Sequence, residues 1–309
     1  MAVQYSPDGR QLAVGGFDGC VTVYDATSCA PQSDFQIARA VKTDAAKLPV
    51  TSLRYHPHLP QLFVTGSDGT IERRDLRTMD CVSRLKEEGN EIYCCDIRKD
   101  AGLFATAGLD GVVRVYDEST NTVVHGYAVT DVSVNLHPVR LYSVVFAPDD
   151  PNLLYSCGWT NSIHCFDLRE KLTVNRKHDF FGHYMIGDAL DIRGNTMVAA
   201  SNRLQNRLHI IDLATRHSTE MLWPTSLNFA PVCAKFSKDS AGELIAIGGG
   251  GPSGLQDVGM IVDRKTNKVV VESTYEGCIT SVATSTRDSG VAFGDATGSV
   301  HMLERVQRK

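Results

Sequence analysis

No stretch of the chain approaches the roughly 18 consecutive apolar residues that a membrane-spanning helix needs, so no such span is expected. Positive charge is also not in excess. The 31 Lys and Arg against 36 Asp and Glu leave a net charge of −5, whereas a nucleic-acid binder usually shows the opposite balance. The N-terminus lacks a basic and apolar leader, so a cytoplasmic or nuclear protein is expected. No CxxC pair occurs among the 9 cysteines. An odd count without paired spacing fits reduced thiols rather than a disulfide framework or a zinc site. Cys94 and Cys95 are neighbours in an alternating segment, so they project to opposite faces and are poorly placed to share a metal. Helical periodicity is almost absent. Gly-x-Ser-x-Gly, HExxH and kinase signatures are missing as well.

What the sequence does have is one pattern, seven times. "LAVGGFDGCVTVYDATS" (12–28), "LFVTGSDGTIERRDLRT" (62–78) and "LFATAGLDGVVRVYDES" (103–119) each run from apolar residues through small ones to Asp-Gly, then an alternating run and an acid. Asp-Gly between alternating runs is a strong hairpin signal, because both residues tolerate positive φ. The pattern continues with more drift at 154–170, 197–215, 245–266 and 291–305. The closing acids are Asp25, Asp75, Asp117, Asp167, Asp212, Asp263 and Glu304, spaced 41 to 51 residues apart. A further alternating segment precedes each hairpin, and a strand-like segment follows most acids, "LTVNRK" (172–177) among them. Four strands per unit predict an all-β fold.

The strand ends, the Asp-Gly hairpins and the "SPDG" and "APDD" turns resemble the WD-repeat (WD40) β-propeller family over essentially the whole chain. The resemblance implies one domain, 1–309, folded as a seven-bladed propeller of four-stranded antiparallel blades. No unit keeps the Trp of the family name. Tyr24, Arg74, Tyr116, Phe166, Ile211, Val262 and Leu303 stand in its place, and Gly-His survives only as Gly182–His183. The family's buried Asp–His–Ser/Thr–Trp network is therefore mostly absent.

In such a propeller, strands a to d run from centre to rim. The d–a and b–c loops share one face, and the a–b and c–d loops share the other. Three long connections, at 38–49, 128–140 and 248–257, all fall on the d–a/b–c face, while short turns are expected opposite. Loops on a rigid scaffold often carry function, so this face is the expected partner surface. Its candidate residues are Phe17, Arg140, Trp159, Tyr184, Asp188, Arg203 and Arg207, types that dominate binding hot spots. Asp188, near the channel mouth, could pair with Arg203 or Arg207, or cap backbone amides. "GGGGPSG" lacks the Gly-Lys-Ser/Thr ending of a phosphate loop and reads as a flexible surface loop. His56 and His58 in "YHPHLP" read as a stiff turn.

The expected function is a non-catalytic scaffold that binds a peptide or protein and needs no cofactor or metal. In the family, Asp-x-Arg after strand c can dock on the adaptor of a cullin-type ubiquitin ligase, which makes Arg77 and Arg169 the residues of an alternative reading. A propeller hydrolase is a further alternative, without a motif to support it. Counting strands leaves the seventh blade one short. Val3 already starts strand a of blade one, and "RVQRK" after Glu304 is too short to turn back. A truncated sequence would explain this, as would a partner that donates the strand. Either way, Ser299, Val300, His301, Met302, Leu303, Glu304 and Arg305 are expected to form an open edge.

Overall fold

The repeated Asp-Gly pairs turn the chain tightly, as their chemistry demands. Gly69 and Gly111 adopt φ of +83° and +71°, a region in which a Cβ is strained. The preceding carboxylates brace the turns: Asp68 and Asp110 accept the amides of Thr70 and Val112 at 3.1 and 3.0 Å. The acid that closes each of the first six units has the same role one strand later. Asp75 accepts the amides of Arg77 and Thr78 at 2.8 and 3.2 Å. Asp117 accepts those of Ser119 and Thr120 at 3.0 and 2.8 Å, and Asp263 those of Lys265 and Thr266, both at 2.9 Å. A short side chain that reaches its own backbone two or three residues on fixes the c–d turn. That turn, not catalysis, accounts for the recurring acid.

The structure, a computed structural model, describes residues 2–36, 48–131, 137–170, 179–203, 207–221, 228–238, 243–251, 255–287 and 289–303. Blade one is β1 (Ala2–Tyr5), β2 (Gln11–Gly15), β3 (Cys20–Asp25) and β4 (Pro31–Gln36). Blade two is β5 (Val50–Tyr55), β6 (Gln61–Gly66), β7 (Thr70–Asp75) and β8 (Cys81–Lys86). Blade three is β9 (Ile92–Ile97), β10 (Leu103–Gly108), β11 (Val112–Asp117) and β12 (Val123–Ala128). A two-stranded ribbon, β13 (Thr130–Asp131) and β14 (His137–Pro138), stems the connection to blade four. Blade four is β15 (Leu141–Phe146), β16 (Leu153–Gly158), β17 (Ser162–Asp167) and β18 (Phe180–Phe181). Blade five is β19 (Leu190–Arg193), β20 (Thr196–Ala200), β21 (Leu208–Asp212) and β22 (Ser218–Glu220). Blade six is β23 (Pro231–Phe236), β24 (Leu244–Gly249), β25 (Val258–Asp263) and β26 (Lys268–Thr274). Blade seven has three strands among the described residues, β27 (Ile279–Thr284), β28 (Val291–Asp295) and β29 (Val300–Leu303).

All pairings are antiparallel, and the a strands of successive blades pack side by side, with β1 against β27 closing the ring. A lone blade buries only part of its apolar surface; stacking on two neighbours buries both faces. Phe104, Phe166, Phe229, Phe236 and Phe293 are fully buried between blades. Glu87 takes part in a buried network in blade three. It accepts the Tyr116 hydroxyl at 2.8 Å, the Asn90 amide at 2.6 Å and an Arg114 bond at 3.0 Å, with the Thr106 hydroxyl also bound to it. A Tyr–Thr–Glu set thus satisfies polar groups where Trp is missing.

Three expectations need correction. The outer strand of blade four among the described residues is β18, and "LTVNRK", the segment expected there, lies outside the described residues. The lower face is not confined to short turns, because the c–d connection of blade four separates β17 from β18 by twelve residues. The GGGG run is not all loop: Gly248 and Gly249 end β24 and are buried, while 252–254 lie outside the described residues.

Glycine at the end of a b strand reflects close approach. A Cβ on Gly158 would lie 2.0 Å from the Arg140 carbonyl oxygen. Gly158→Ala is expected to cost about 1–3 kcal/mol through this overlap, measured as a lower denaturation midpoint with an unchanged slope. A midpoint equal to that of the wild type would show that the backbone yields there.

Candidate functional site

The a strands carry a repeated irregularity at their upper ends, toward the d–a and b–c loops. Register jumps from Val50 to Ser52, Leu141 to Ser143, Pro231 to Cys233 and Ile279 to Ser281, and β9 skips Tyr93 between its partners at Ile92 and Cys94. Each skipped residue is a β-bulge, which bends the strand and re-aims a side chain. Thr51, Tyr93, Tyr142, Val232 and Thr280, with Asp188 at the matching place in blade five, line the upper mouth of the channel, a cavity of about 300 Å³. Three residues further down each strand, Gln4, Arg54, Asp96, Val145, Asp191, Lys235 and Ala283 form a second ring, which lines a lower cavity of about 520 Å³.

Asp188 separates the two. One oxygen accepts the Arg54 guanidinium at 2.9 Å; the other accepts the Lys235 ammonium at 2.9 Å and the Ser143 hydroxyl at 3.0 Å. Arg54 also reaches Asp96 at 3.4 Å, and Lys235 donates to the Leu190 carbonyl at 2.9 Å. Burial opposes the charged carboxylate, but Lys235 and Arg54 outweigh it and hold Asp188 at about 2. Burial likewise opposes the Arg54 charge, and Asp188 and Asp96 reverse the effect, so its pKa rises above the usual arginine range. Asp188 therefore pairs with Arg54 and Lys235, not with Arg203 or Arg207. The a strands of blades two and six present their long cations across the channel, whereas the two arginines are held elsewhere.

Of the other surface candidates, Phe17 and Trp159 are 50% and 39% exposed in the b–c turns of blades one and four. The Arg140 guanidinium lies over the Trp159 ring at 4.6 Å, a cation–π contact. Tyr142 lies 6.0 Å from Trp159, and Tyr93 stacks on Tyr142 at 4.8 Å with an interplanar angle of 10°. Burial raises the pKa of both tyrosines, so their hydroxyls are neutral donors. Tyr184 is half-buried on the same face, and its carbonyl accepts the Asn202 amide at 2.7 Å. Exposed Arg203 binds the Asn161 side chain. Arg207 is only 9% exposed and donates to the Phe229 carbonyl at 2.6 Å, so it braces the loop rather than presenting a surface. Tyr93 and Tyr142 were not among the sequence candidates. Their signal was the glycine that ends the neighbouring strand, Gly108 or Gly158, where a Cβ would meet the backbone of strand a at 1.9 or 2.0 Å.

On the lower face, Arg77 is exposed, and Arg169 is bound to Asp167 through Nε at 2.8 Å. His56 is a turn residue, its Nδ1 accepting the amides of His58 and Leu59 at 3.0 and 2.9 Å. All 9 cysteines are free thiols. At the seventh blade, β29 pairs with β28, and among the described residues no strand lies on its outer edge. Ser299 is in the preceding turn, where its amide donates to Asp295 at 2.9 Å, rather than in the strand. Glu304 and Arg305 lie outside the described residues.

The model of the WD domain, G-beta repeat, matches at 1–25, 41–72 and 79–117. The last of these spans the outer strand of blade two and the first three strands of blade three, the order in which the repeat is read along the chain. The matched repeats and the ring of seven blades support the WD-repeat family. The chain is 29% identical over 139 residues to nuclear distribution protein PAC1 of Candida tropicalis, a match over 43% of the chain and 26% of that protein. It is 28% identical over 171 residues to the periodic tryptophan protein 2 homolog of Dictyostelium discoideum, over 54% and 17%. With protein groucho of Drosophila melanogaster the figures are 30% over 116 residues, 38% and 15%. The matched part of the propeller thus spans about a quarter or less of each relative's length.

Removing the central acid tests the knot. Asp188→Asn is expected to cost about 3–5 kcal/mol, because Arg54 and Lys235 lose their shared counter-charge, and Lys235→Met in the same chain should recover part of it. Denaturant titration reads both. The sign with pH follows from the depressed pKa. The stabilisation by Asp188, roughly 2 kcal/mol, is present above the unfolded value of about 3.9 and lost as pH falls through about 2. A wild type and Asp188→Asn that keep the same stability gap down to pH 2 would contradict this assignment.

Proposed function

We propose that the propeller is a non-catalytic protein-interaction scaffold that holds a peptide or protein partner over its upper face, as a subunit of a larger intracellular assembly. The supporting observation is the run of Tyr93, Tyr142, Trp159 and Arg140 beside a mouth whose charges are already paired. Large aromatic surfaces with an arginine on top lose little entropy on binding and bury much area, which is the composition of binding hot spots. Because Asp188 is occupied by Arg54, Lys235 and Ser143, the mouth offers little to a basic side chain. It favours an apolar or aromatic anchor, with acidic residues near Arg140 and exposed Arg203. In the adaptor reading Arg77 and Arg169 would meet a ligase subunit, but Arg169 is already tied to Asp167.

Peptides selected on the isolated propeller test the reading. Trp159→Ala, Tyr142→Ala and Phe17→Ala are each expected to weaken the selected peptides by about 1–3 kcal/mol where they are anchors, measured by calorimetry. Selected peptides that ignore all three changes but are released by Arg77→Ala would move the site to the lower face.

A second reading concerns blade seven. Among the described residues no strand covers the outer edge of β29, which makes it a template for an extended segment of a partner that would complete the blade as a fourth strand. Hydrogen exchange measures it. Alternate amides of Val300–Leu303 should exchange far faster than those of β25 in the isolated protein and become protected in the partner complex. Protection equal to that of β25 in the isolated monomer would exclude an open edge.

A further inference from the structure

We propose that the lower mouth of the channel is a binding site for a compact, soluble polyanion bearing phosphate groups. This lower site does not depend on the upper-face reading. The cavity holds about 520 Å³, and the Arg54–Asp188–Lys235 knot lies at its inner end. Four cations line it, Arg54, Lys99, Lys235 and Lys238, against two carboxylates, Asp96 and Asp191. Arg54 and Lys235 share Asp188, so the surplus rests on Lys99 and Lys238; it is positive in a chain whose net charge is −5, and a concave site focuses that field on the opening.

The two acids are committed. Asp96 accepts the Phe146 amide at 2.9 Å as well as Arg54, and Asp191 accepts the Phe236 amide at 2.8 Å. Lys99 and Lys238 have neither an ion pair nor a hydrogen bond from their ammonium groups among the described residues. Both come from the a–b turn, in blades three and six, at the place where Pro7, Pro57 and Pro148 stand in blades one, two and four. The sequence thus sets two exposed cations on well-separated parts of a rim that otherwise carries proline. Lys238 opens to solvent through the mouth, yet the surrounding wall lowers its pKa, and the charges of Arg54 and Lys235 add to that effect while Asp191 opposes it. An anion would relieve this crowding.

The shape selects the ligand class. The cavity, about 520 Å³, is short for an extended peptide and suits a compact ligand. A compact ligand with at least two negative groups reaches both lysines from one seat, which a single carboxylate does not.

Calorimetric titration with tripolyphosphate tests the site on the whole protein. The expected result is one-to-one binding that weakens with added salt, with a dissociation constant raised at least about tenfold in Lys99→Ala/Lys238→Ala. Both side chains are exposed, so the variant should fold. The control Arg77→Ala/Lys268→Ala, on exposed cations away from the cavity, should bind as the wild type does. No binding at low salt, an unchanged constant in the lysine variant, or an equal loss in the control would overturn the site. Citrate binding as tightly as tripolyphosphate would overturn the phosphate assignment, and binding only to phosphoinositide vesicles would overturn a soluble ligand.

Discussion

Asp188 lies where blades two, four, five and six converge on the axis, and its two oxygens hold a guanidinium, an ammonium and a hydroxyl from three other blades. The cost of bringing these charges out of water is offset only because they arrive together: a carboxylate alone, or Arg54 and Lys235 alone, would be left uncompensated in a confined channel. The same knot has a geometric effect. It lies between the two mouths of the channel, which differ in character. Above the knot, the bulged residues are aromatic, apolar or hydroxylic. Below it, cations outnumber acids. One set of ion pairs therefore separates an apolar recognition surface from an electrostatic one.

The upper surface owes its shape to a backbone constraint. A bulge needs room opposite it, and glycine at the end of strand b provides that room. At Gly108, Gly158 and Gly249 a Cβ would fall within 2.0 Å of a carbonyl oxygen in the adjoining strand. The extra residue in strand a then points into the channel instead of joining the ladder. What is chosen at that residue is free of the packing demands that fix its neighbours, so it varies from Thr51 to Tyr93, Tyr142 and Val232 while the bulge persists. A stiff scaffold with one such position in each of five blades is well suited to carrying a binding site.

This division explains what could be read in the sequence. The blade count and the a, b and c strands follow from turn chemistry and alternation, which are local: Asp-Gly makes the b–c reversal and a single Asp caps the c–d turn. Phe17 and Trp159 were visible because they sit in those turns. Tyr93 and Tyr142 looked like ordinary strand residues, because a bulge changes direction without changing composition. The partners of Asp188 were hidden for a different reason. Arg54 and Lys235 are 134 and 47 residues away, and nearness in sequence suggested Arg203 and Arg207 instead. The outer strand of blade four, β18, was not legible, because rim strands are short and alternation there carries little information.

The seam between blades seven and one follows from the same economy of side chains. Between blades four and six, the buried cluster includes Phe180, Phe229, Phe236, Met185, Met197 and Met260. At the seam, Val3, Tyr5, Leu12 and Val14 of blade one meet Ala283 and Ala292, with Val300 and Met302 only partly buried. Small side chains bring fewer atoms into contact, and half-exposed ones remove less area from water. Among the described residues, β29 also lacks an outer neighbour to cover it. Ring closure there depends on a-strand packing, chiefly β1 on β27, so a segment laid on β29 would do more than occupy a free edge. It would bury Val300 and Met302 more fully, and because those residues belong to the seam cluster, it would tighten the interface that closes the ring.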